Sequence, residues 1–215
     1  MKVELFDLGN EALANCYILT DEKTGISAIA DIGWYTDSLD NYIKSKDMKV
    51  EYIILTHGHF DHIMGVAKAR EATGAKILIH KDDAICLKDK NFNLMNTFGV
   101  KAEFEPCEPD IIANDGDIIK IGESELKTMH TPGHSKGSVI FIDNDGHNII
   151  SGDTLFHSTV GRTDTLGGSI EEMKVSVKKI LALDGDYDIY PGHGPATTLS
   201  HERVRNIFIR RMERN

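Results

Sequence analysis

The chain has 215 residues, a length at which one domain with a substantial buried core is expected. Its hydrophobic content of 40% and charged content of 27% are ordinary for a soluble globular protein. The formal net charge of −10 argues against a nucleic-acid-binding protein, for which a basic surface is expected.

The first half of the chain mixes predicted strands and helices. Three β-rich runs come first, separated by turn residues: KVELFDL, NCYILT and GISAIADIG. The segment TDSLDNYIKSK begins with a threonine and carries Leu39 and Ile43 four positions apart, which favours a helix. The run VEYIILT is typical of a buried strand, and DHIMGVAKAREATG predicts one helix closed by a C-terminal glycine. A strand over AKILIH and a short helix around DDAICLKD follow.

The second half turns to β structure after an irregular stretch, residues 90–116. Four β runs, DIIKI, ELKTMH, GSVIFID and HNIIS, precede a glycine-rich loop, VGRTDTLGG. A helix over SIEEMKVSVKKILAL, the strand YDIY and a last helix over SHERVRNIFIRRM complete the pattern. Strands outnumber helices, yet helices recur between them, which favours two sheets with helices packed outside. No repeat or linker divides the chain, so we expect residues 1–215 to form a single domain.

The sequence shows no sign of export or membrane insertion. No apolar stretch approaches the roughly 20 residues that a bilayer-spanning helix needs, and the N-terminus lacks the apolar core of a signal peptide. The three cysteines are widely spaced with no CxxC pair, which favours reduced, mostly buried thiols. These features predict a cytoplasmic protein that binds neither membrane nor nucleic acid.

The segment THGHFDH, residues 56–62, gathers three of the ten histidines directly after an apolar run. His57 and His59 are two residues apart in an extended segment, so both imidazoles project to the same side. Asp61 and His62 open the following helix, where the turning chain aims two more side chains at this region. Imidazole and carboxylate are the usual zinc ligands, and histidine binds iron as well. The segment predicts a metal site, with a solvated histidine-rich loop as the alternative.

Three further candidate ligands lie at the ends of predicted strands. His134 follows a Pro-Gly turn in HTPGHSKGS, Asp153 ends NIISGD, and His193 follows YDIYPGHG. Each of them alone is compatible with an ordinary loop residue. Because loops at strand ends carry function on a rigid scaffold, their shared position favours one common site.

In this order, THGHFDH, TPGHSKGS, SGDTLF and PGHG resemble the metal-binding motifs of the metallo-β-lactamase superfamily. Within it, SGDTLF followed by GRTD, together with PGHGP, resembles the glyoxalase II-like (hydroxyacylglutathione hydrolase-like) branch. The similarity covers nearly the whole chain. It implies an α/β fold in which four layers form an αββα sandwich, with the site at one edge between the sheets.

The resemblance also implies two divalent metal ions held by seven side chains. One ion falls to His57, His59 and His134, the other to Asp61, His62 and His193, and Asp153 bridges the two. Asp31 matches an aspartate that superfamily members often place behind a ligating histidine, and a turn-capping role is its alternative. Zinc is expected, with iron or manganese as alternatives, because sites of this composition accept all three.

Two metal ions roughly 3.5–4 Å apart can share a hydroxide, because coordination lowers the pKa of water toward about 7. Asp61 is the candidate catalytic acceptor of its proton. None of the cysteines lies where the commonest β-lactamases of the superfamily place a cysteine ligand, and His59 stands where flavodiiron proteins carry an acid. We therefore expect a metal-dependent hydrolase, a thioesterase that cleaves small 2-hydroxyacyl thioesters such as S-lactoylglutathione through a metal-bridging hydroxide.

Two alternatives stay open at this point. A persulfide dioxygenase of the same superfamily also shows GRTD and binds a single iron with the set that matches His57, His134 and Asp153. A metal-binding or sensor protein without turnover is the second, because fold alone does not fix function.

The thiol carrier of the substrate is not readable from the motifs. Full-length glyoxalase II enzymes have a helical C-terminal region that supplies much of the glutathione pocket, and the residues after Gly194 leave room for only one helix. We therefore expect an open carrier pocket. Arg162, in VGRTD, is a candidate for binding a substrate carboxylate, because its guanidinium fork matches that group, and a structural ion pair is the alternative.

Overall fold

The computed structural model describes residues 1–9 and 14–212, in which two six-stranded sheets provide most of the regular structure. The first sheet contains, in spatial order, β1 (Lys2–Phe6), β2 (Cys16–Thr20), β3 (Ile26–Ala30), β4 (Lys49–Ile54), β5 (Lys76–His80) and β6 (Ile111–Ala113). The strands from β1 to β3 pair antiparallel, and those from β3 to β6 pair parallel. The parallel half places the C-terminal ends of β3 to β6 at one edge.

The second sheet is built from the strands β7 (Ile118–Ile121), β8 (Ser124–His130), β9 (Val139–Asp143), β10 (Asn148–Gly152), β13 (Asp188–Pro191) and β14 (Thr197–Thr198). Their spatial order is β14-β13-β10-β9-β8-β7, and β10 with β13 is the parallel pair. A small hairpin of β11 (Leu155–Phe156) and β12 (Thr159–Val160) follows β10.

The helices are α1 (Asp37–Ser45), α2 (Phe60–Ile63), α3 (Val66–Thr73), α4 (Ile170–Leu181), α5 (Leu199–Arg205) and α6 (Ile207–Met212), with a 3-10 helix at Ala84–Leu87. Thr36 caps α1, as its side chain accepts from the N–H of Leu39, and Ser169 caps α4 in the same way from Glu172. None of the described helices is long and apolar enough to cross a membrane.

The strand pattern explains why the layers stack in the order helix, sheet, sheet, helix. In β2, Tyr17 and Leu19 point into the core between the sheets, where Phe141 of the second sheet also lies. The alternating residue Ile18 points the other way, into the core shared with Leu39 of α1. Because both faces of the sheets are covered by apolar contacts, the predicted αββα sandwich is confirmed.

The prediction of a single helix over DHIMGVAKAREATG is wrong, because the structure has two helices there, α2 and α3. Gly65 lies at the division, where a Cβ would collide with the backbone of Tyr35. The chain at Ile32 crosses so closely that the Gly65 N–H donates to the Ile32 carbonyl at 2.9 Å. The predicted C-terminal end of the helix is confirmed, since Gly74 ends α3 with a left-handed φ of 71°.

Two other expectations also need correction. The last predicted helix is two helices, because Asn206 adopts an extended ψ of 123° and its side chain accepts from the N–H groups of Phe208 and Ile209. The irregular stretch 90–116 contains β6, a three-residue strand that pairs parallel to β5. A strand of three residues is too short to produce a periodic sequence signal.

Candidate metal centre

The four segments that carry the predicted ligands each follow the C-terminal end of a strand. His57 and His59 follow β4, His134 follows β8, Asp153 follows β10 directly, and His193 follows β13. The two sheets meet at this edge, where the Val139 N–H donates to the Thr56 carbonyl at 2.8 Å. Strand ends of both sheets therefore deliver side chains to one place.

The structure brings all seven predicted ligands together, and we call them the seven-residue cluster. Their ligand atoms fall into three overlapping groups, within each of which they lie within 4.8 Å of one another. The groups are His57, His59 and His134; His57, His62 and Asp153; and Asp61, His62 and His193. The first and third groups coincide with the two ligand sets that the sequence predicts.

Asp153 lies between the two sets. Its Oδ1 is 3.4 Å from His62 Nε2, and its Oδ2 is 3.4 Å from His134 Nε2 and 3.7 Å from His193 Nε2. Oδ1 therefore faces the second set, and Oδ2 lies near members of both sets. Within the second set, His193 Nε2 is 3.0 Å from Asp61 Oδ2.

The chemistry of the cluster fits a metal centre. Among the described residues, His57 Nε2, His62 Nε2 and Asp153 Oδ1 are buried without a hydrogen-bond partner. An unpaired buried polar atom costs free energy, commonly about 1–3 kcal/mol. Three such atoms aimed at one small volume are what ligation to a cation would satisfy. A Cβ at Gly192 would collide with Asp153 Oδ1, so this glycine keeps the space open.

The electrostatics of the two sets differ. Burial, followed by the neighbouring imidazoles, holds the pKa of His57 well below its ordinary value and lowers the pKa of His59 to about 3. Burial also disfavours charge on His62, but the carboxylates around it, Asp153 foremost, outweigh burial and raise its pKa well above the ordinary value. His57 and His59 therefore present neutral nitrogen lone pairs, the form that binds metal ions.

Asp31 contacts His62, as the resemblance implies. Its Oδ2 is 2.9 Å from His62 Nδ1 and also accepts from the Thr56 hydroxyl at 2.7 Å. Its Oδ1 accepts from the Thr56 N–H at 2.9 Å. A carboxylate on Nδ1 orients the ring and leaves Nε2 pointing into the cluster.

Arg162 lines the cavity in front of the cluster, but its side chain is engaged elsewhere. Its Nε and Nη2 donate to the Asp164 carboxylate at 2.8 and 3.1 Å, and the guanidinium lies over the Phe98 ring at 5.6 Å. The structural ion pair is therefore present. The backbone of Arg162 contacts the cluster directly, since its carbonyl is 2.8 Å from His134 Nδ1 and leaves Nε2 of that ring facing inward.

Asp83 is a buried carboxylate that the sequence motifs did not reveal. It accepts from the Gly58 N–H at 2.9 Å, the Gly137 N–H at 2.7 Å and the Ser135 hydroxyl at 2.7 Å. Gly58 lies between His57 and His59, and Ser135 follows His134, so one side chain ties together the two loops that deliver the first set. Its partners are two backbone groups and a hydroxyl from distant segments, and no local sequence pattern indicates them.

Asn15 and Tyr17 hold the loop of His193 in a similar way. Asn15 Nδ2 donates to the carbonyls of Pro191 and Gly194, each at 2.9 Å, and the Tyr17 hydroxyl donates to the Pro191 carbonyl at 2.8 Å. These contacts join β2 of the first sheet to the loop after β13 in the second. The sequence predicts β2 but not this role.

The space in front of the cluster is a cavity of about 420 Å³, which we call the first cavity. Five members of the cluster line it, and its other walls include Phe60, Leu94, Phe98 and Phe156. Phe60 and Phe98 are in aromatic contact, with ring centroids 6.0 Å apart. A mostly apolar cavity with a few convergent polar groups is typical of a small-molecule site.

Comparison with known proteins gives a consistent result. The family model described as the metallo-beta-lactamase superfamily matches residues 9–193. The chain is 30% identical over 197 residues to the hydroxyacylglutathione hydrolase GloC of Haemophilus influenzae, covering 91% of this chain and 92% of that one.

Two solved structures are also similar. BLEG-1 B3 metallo-beta-lactamase superposes with a TM-score of 0.90 at 30% identity, covering 97% of this chain and 99% of the other. TTHA1623 in a di-iron-bound form superposes with a TM-score of 0.84 at 29% identity, covering 95% and 99%.

Proposed function

The chain belongs to the metallo-β-lactamase superfamily, and from this premise we propose that it is a thioesterase of the glyoxalase II-like branch. Its substrates are small 2-hydroxyacyl thioesters such as S-lactoylglutathione. The observation that carries the proposal is the seven-residue cluster, in which two three-residue sets meet at the carboxylate of Asp153.

Each side chain of the cluster has a role in this proposal. Each of the two sets would hold one divalent ion, and Asp153, which lies between the sets, would serve both: the first set is His57, His59 and His134, and the second is Asp61, His62 and His193. Divalent ions held there would supply Lewis acidity and lower the pKa of coordinated water toward about 7. The carboxylate of Asp61 would accept the proton of the attacking water: its Oδ2 lies 3.0 Å from His193 Nε2 and 3.8 Å from His62 Nε2, which leaves Oδ1 as the candidate acceptor.

A protein nucleophile has little support in this site. Cys86 lies beside the loop of His57 and His59, but burial raises the pKa of its thiol far above the ordinary value. The Ser135 hydroxyl donates to the Asp83 carboxylate, which is itself engaged by two backbone groups. Water is therefore the better candidate for the attacking group.

The walls of the first cavity favour a thioester over substrates with poorer leaving groups. Its titratable side chains are five members of the cluster and Arg162, and the guanidinium of Arg162 is paired with Asp164. No further acid is available there to protonate a departing amine or alkoxide. A thiolate needs little such help, because the pKa of a thiol is about 8.5.

Zinc remains the proposed metal, and iron is the alternative that the di-iron form of TTHA1623 supports. Histidine and carboxylate side chains bind both, so the ligand chemistry does not separate them. The second candidate function, a mononuclear iron persulfide dioxygenase, would use only His57, His134 and Asp153. It leaves Asp61, His62 and His193 without a role, although they converge within 4.8 Å.

The test compares two substrates on one preparation. S-lactoylglutathione should release thiol at the same rate in air and under anaerobic conditions, and glutathione persulfide should cause no oxygen uptake. A chelator should abolish thiol release, and added Zn²⁺ or Fe²⁺ should restore it. Oxygen uptake with the persulfide, together with no thiol release from the thioester, would replace the proposal with the dioxygenase.

A further inference from the structure

A second cavity of about 430 Å³ adjoins the first, and His59 lines both. We call it the second cavity. Its walls include two lysines, Lys81 and Lys136, and three partly exposed apolar side chains, Ile85, Phe92 and Leu166. It differs from the first cavity in having only one member of the seven-residue cluster in its walls.

The two cavities share their outer walls as well as His59. Residues 92–98 contribute Phe92 to the second cavity and Leu94 and Phe98 to the first. The loop 162–167 contributes Leu166 to the second and Thr165 to the first. The two cavities therefore form neighbouring compartments along one groove, with His59 of the first set between them.

The lysines of the second cavity are the cations available to a ligand. Among the described residues, neither Lys81 nor Lys136 forms an ion pair, and both side chains are exposed. The stem of Lys136 packs beside the loop 162–167, since a Cβ at Gly167 would lie 3.4 Å from Lys136 Cγ.

The walls of the second cavity also contain two aspartates, Asp82 and Asp83, which differ in their exposure. The Asp83 carboxylate is buried and accepts three hydrogen bonds from the protein. Asp82 is exposed, and its Oδ2 lies 3.6 Å from His80 Nδ1. The two lysines and two aspartates of the walls sum to a formal charge of zero, so the second cavity is less acidic than the chain as a whole, whose net charge is −10.

We infer that the second cavity binds the thiol carrier of the substrate and that Lys81 and Lys136 bind a carboxylate on that carrier. The inference rests on the proposed thioesterase function. The reacting carbonyl must reach the cluster, which faces the first cavity, and the apolar walls there suit a compact acyl group. The substituent on sulfur then passes His59 and enters the second cavity, where Phe92 and Leu166 cover its apolar part.

Carboxylate recognition by exposed lysines is modest in strength but selective by charge. Each exposed pair contributes about a threefold gain in affinity, so the two lysines together contribute about tenfold. Binding energy from this remote part of the substrate affects KM before kcat. Salt should weaken the contribution, because both lysines are in contact with solvent.

The kinetic test uses two substrates that differ in charge: S-lactoylglutathione and its analogue with both carboxylates converted to amides. In the double variant Lys81→Ala/Lys136→Ala, KM for the charged substrate should rise about tenfold, and KM for the bis-amide should rise less than twofold. Lys178→Ala, which removes an exposed lysine from α4, is the matched control and should change neither. An equal rise for both substrates, or none for the charged one, would overturn the inference.

A binding test separates this inference from the proposed function. S-methylglutathione cannot be hydrolysed as a thioester, and its Kd is measured by calorimetry on the full chain. The double lysine variant should bind it about tenfold more weakly, and 0.5 M NaCl should remove most of that difference. If thioesters are not hydrolysed but this lysine dependence is found, the second cavity is supported as a carrier site and the proposed thioesterase function is contradicted. If thioesters are hydrolysed but S-methylglutathione binds without lysine dependence, or does not bind, the thioesterase function is supported. The inference that the second cavity binds the thiol carrier is then contradicted.

Discussion

Replacing Asp83 with Asn should loosen the two loops that deliver His57, His59 and His134. The Asp83 carboxylate accepts three hydrogen bonds, and an amide offers one oxygen in place of two. If the amide oxygen keeps Gly58 and Ser135, its NH₂ group faces the Gly137 N–H, so donor meets donor. At least one of the three bonds is therefore lost in either orientation of the amide.

The magnitude follows from the kind of bond that is lost. A hydrogen bond to a charged group contributes about 1.5–3 kcal/mol, so the free energy of unfolding should fall by about that amount. The ligands of the first set lose the support of a group that orients their loops. Loss of such support typically lowers metal affinity by about 10–100-fold. The second set, which Asp83 does not contact, should be affected less.

The assay pairs urea denaturation with a calorimetric Zn²⁺ titration of the metal-free protein. Asp143→Asn is the matched control, because Asp143 is also buried and makes three polar contacts: with the Gly146 N–H at 2.9 Å, with Asn148 Nδ2 at 3.0 Å and with the N-terminal amine at 3.2 Å. It ends β9, and the other end of that strand, Val139, lies at the edge with the ligand loops. Both variants should lose comparable stability. Only Asp83→Asn should weaken one of the two Zn²⁺ equivalents. If the two variants lose stability equally and both keep full metal affinity, Asp83 does not position the ligands.

Two further variants test individual parts of the cluster. Asp61→Asn should lower turnover by roughly 10²-fold or more, because a positioned proton acceptor contributes about 10²–10⁴-fold. The urea midpoint of this variant should stay within error of the wild-type value. Wild-type turnover would show that Asp61 is neither ligand nor base. Gly192→Ala should weaken Zn²⁺ binding, since its Cβ would displace Asp153 Oδ1 and His62 Cε1, both close to that position. Equilibrium dialysis measures the effect, and unchanged stoichiometry and affinity would contradict the close packing inferred at Gly192.

The sequence predicts the fold and the membership of the cluster well, for a physical reason. The ligands lie in four short motifs directly after strands, and strand ends place side chains at one edge whatever the details of packing. The αββα layers follow from apolar strands that need cover on both faces. These features depend on residue type and local order, which a sequence displays directly.

Other features depend on contacts between distant segments and could not be read from local patterns. The break between α2 and α3 comes from the passage of residues 32–35 against Gly65, because propensity alone permits one helix there. The roles of Asp83 and Asn15 arise from backbone groups in loops remote in sequence. The ion pair of Arg162 with Asp164 depends on which way the guanidinium turns, and the motif GRTD is equally compatible with a guanidinium that faces the cavity.

The central claim is that the seven-residue cluster holds two metal ions. Its most direct test is a calorimetric titration of metal-free protein with Zn²⁺, accompanied by elemental analysis of protein purified without added metal. We expect two equivalents to bind to the wild-type protein and one to bind to the variant His193→Ala, because His193 belongs only to the second set. A single equivalent in the wild-type protein, unchanged by His193→Ala, would contradict it.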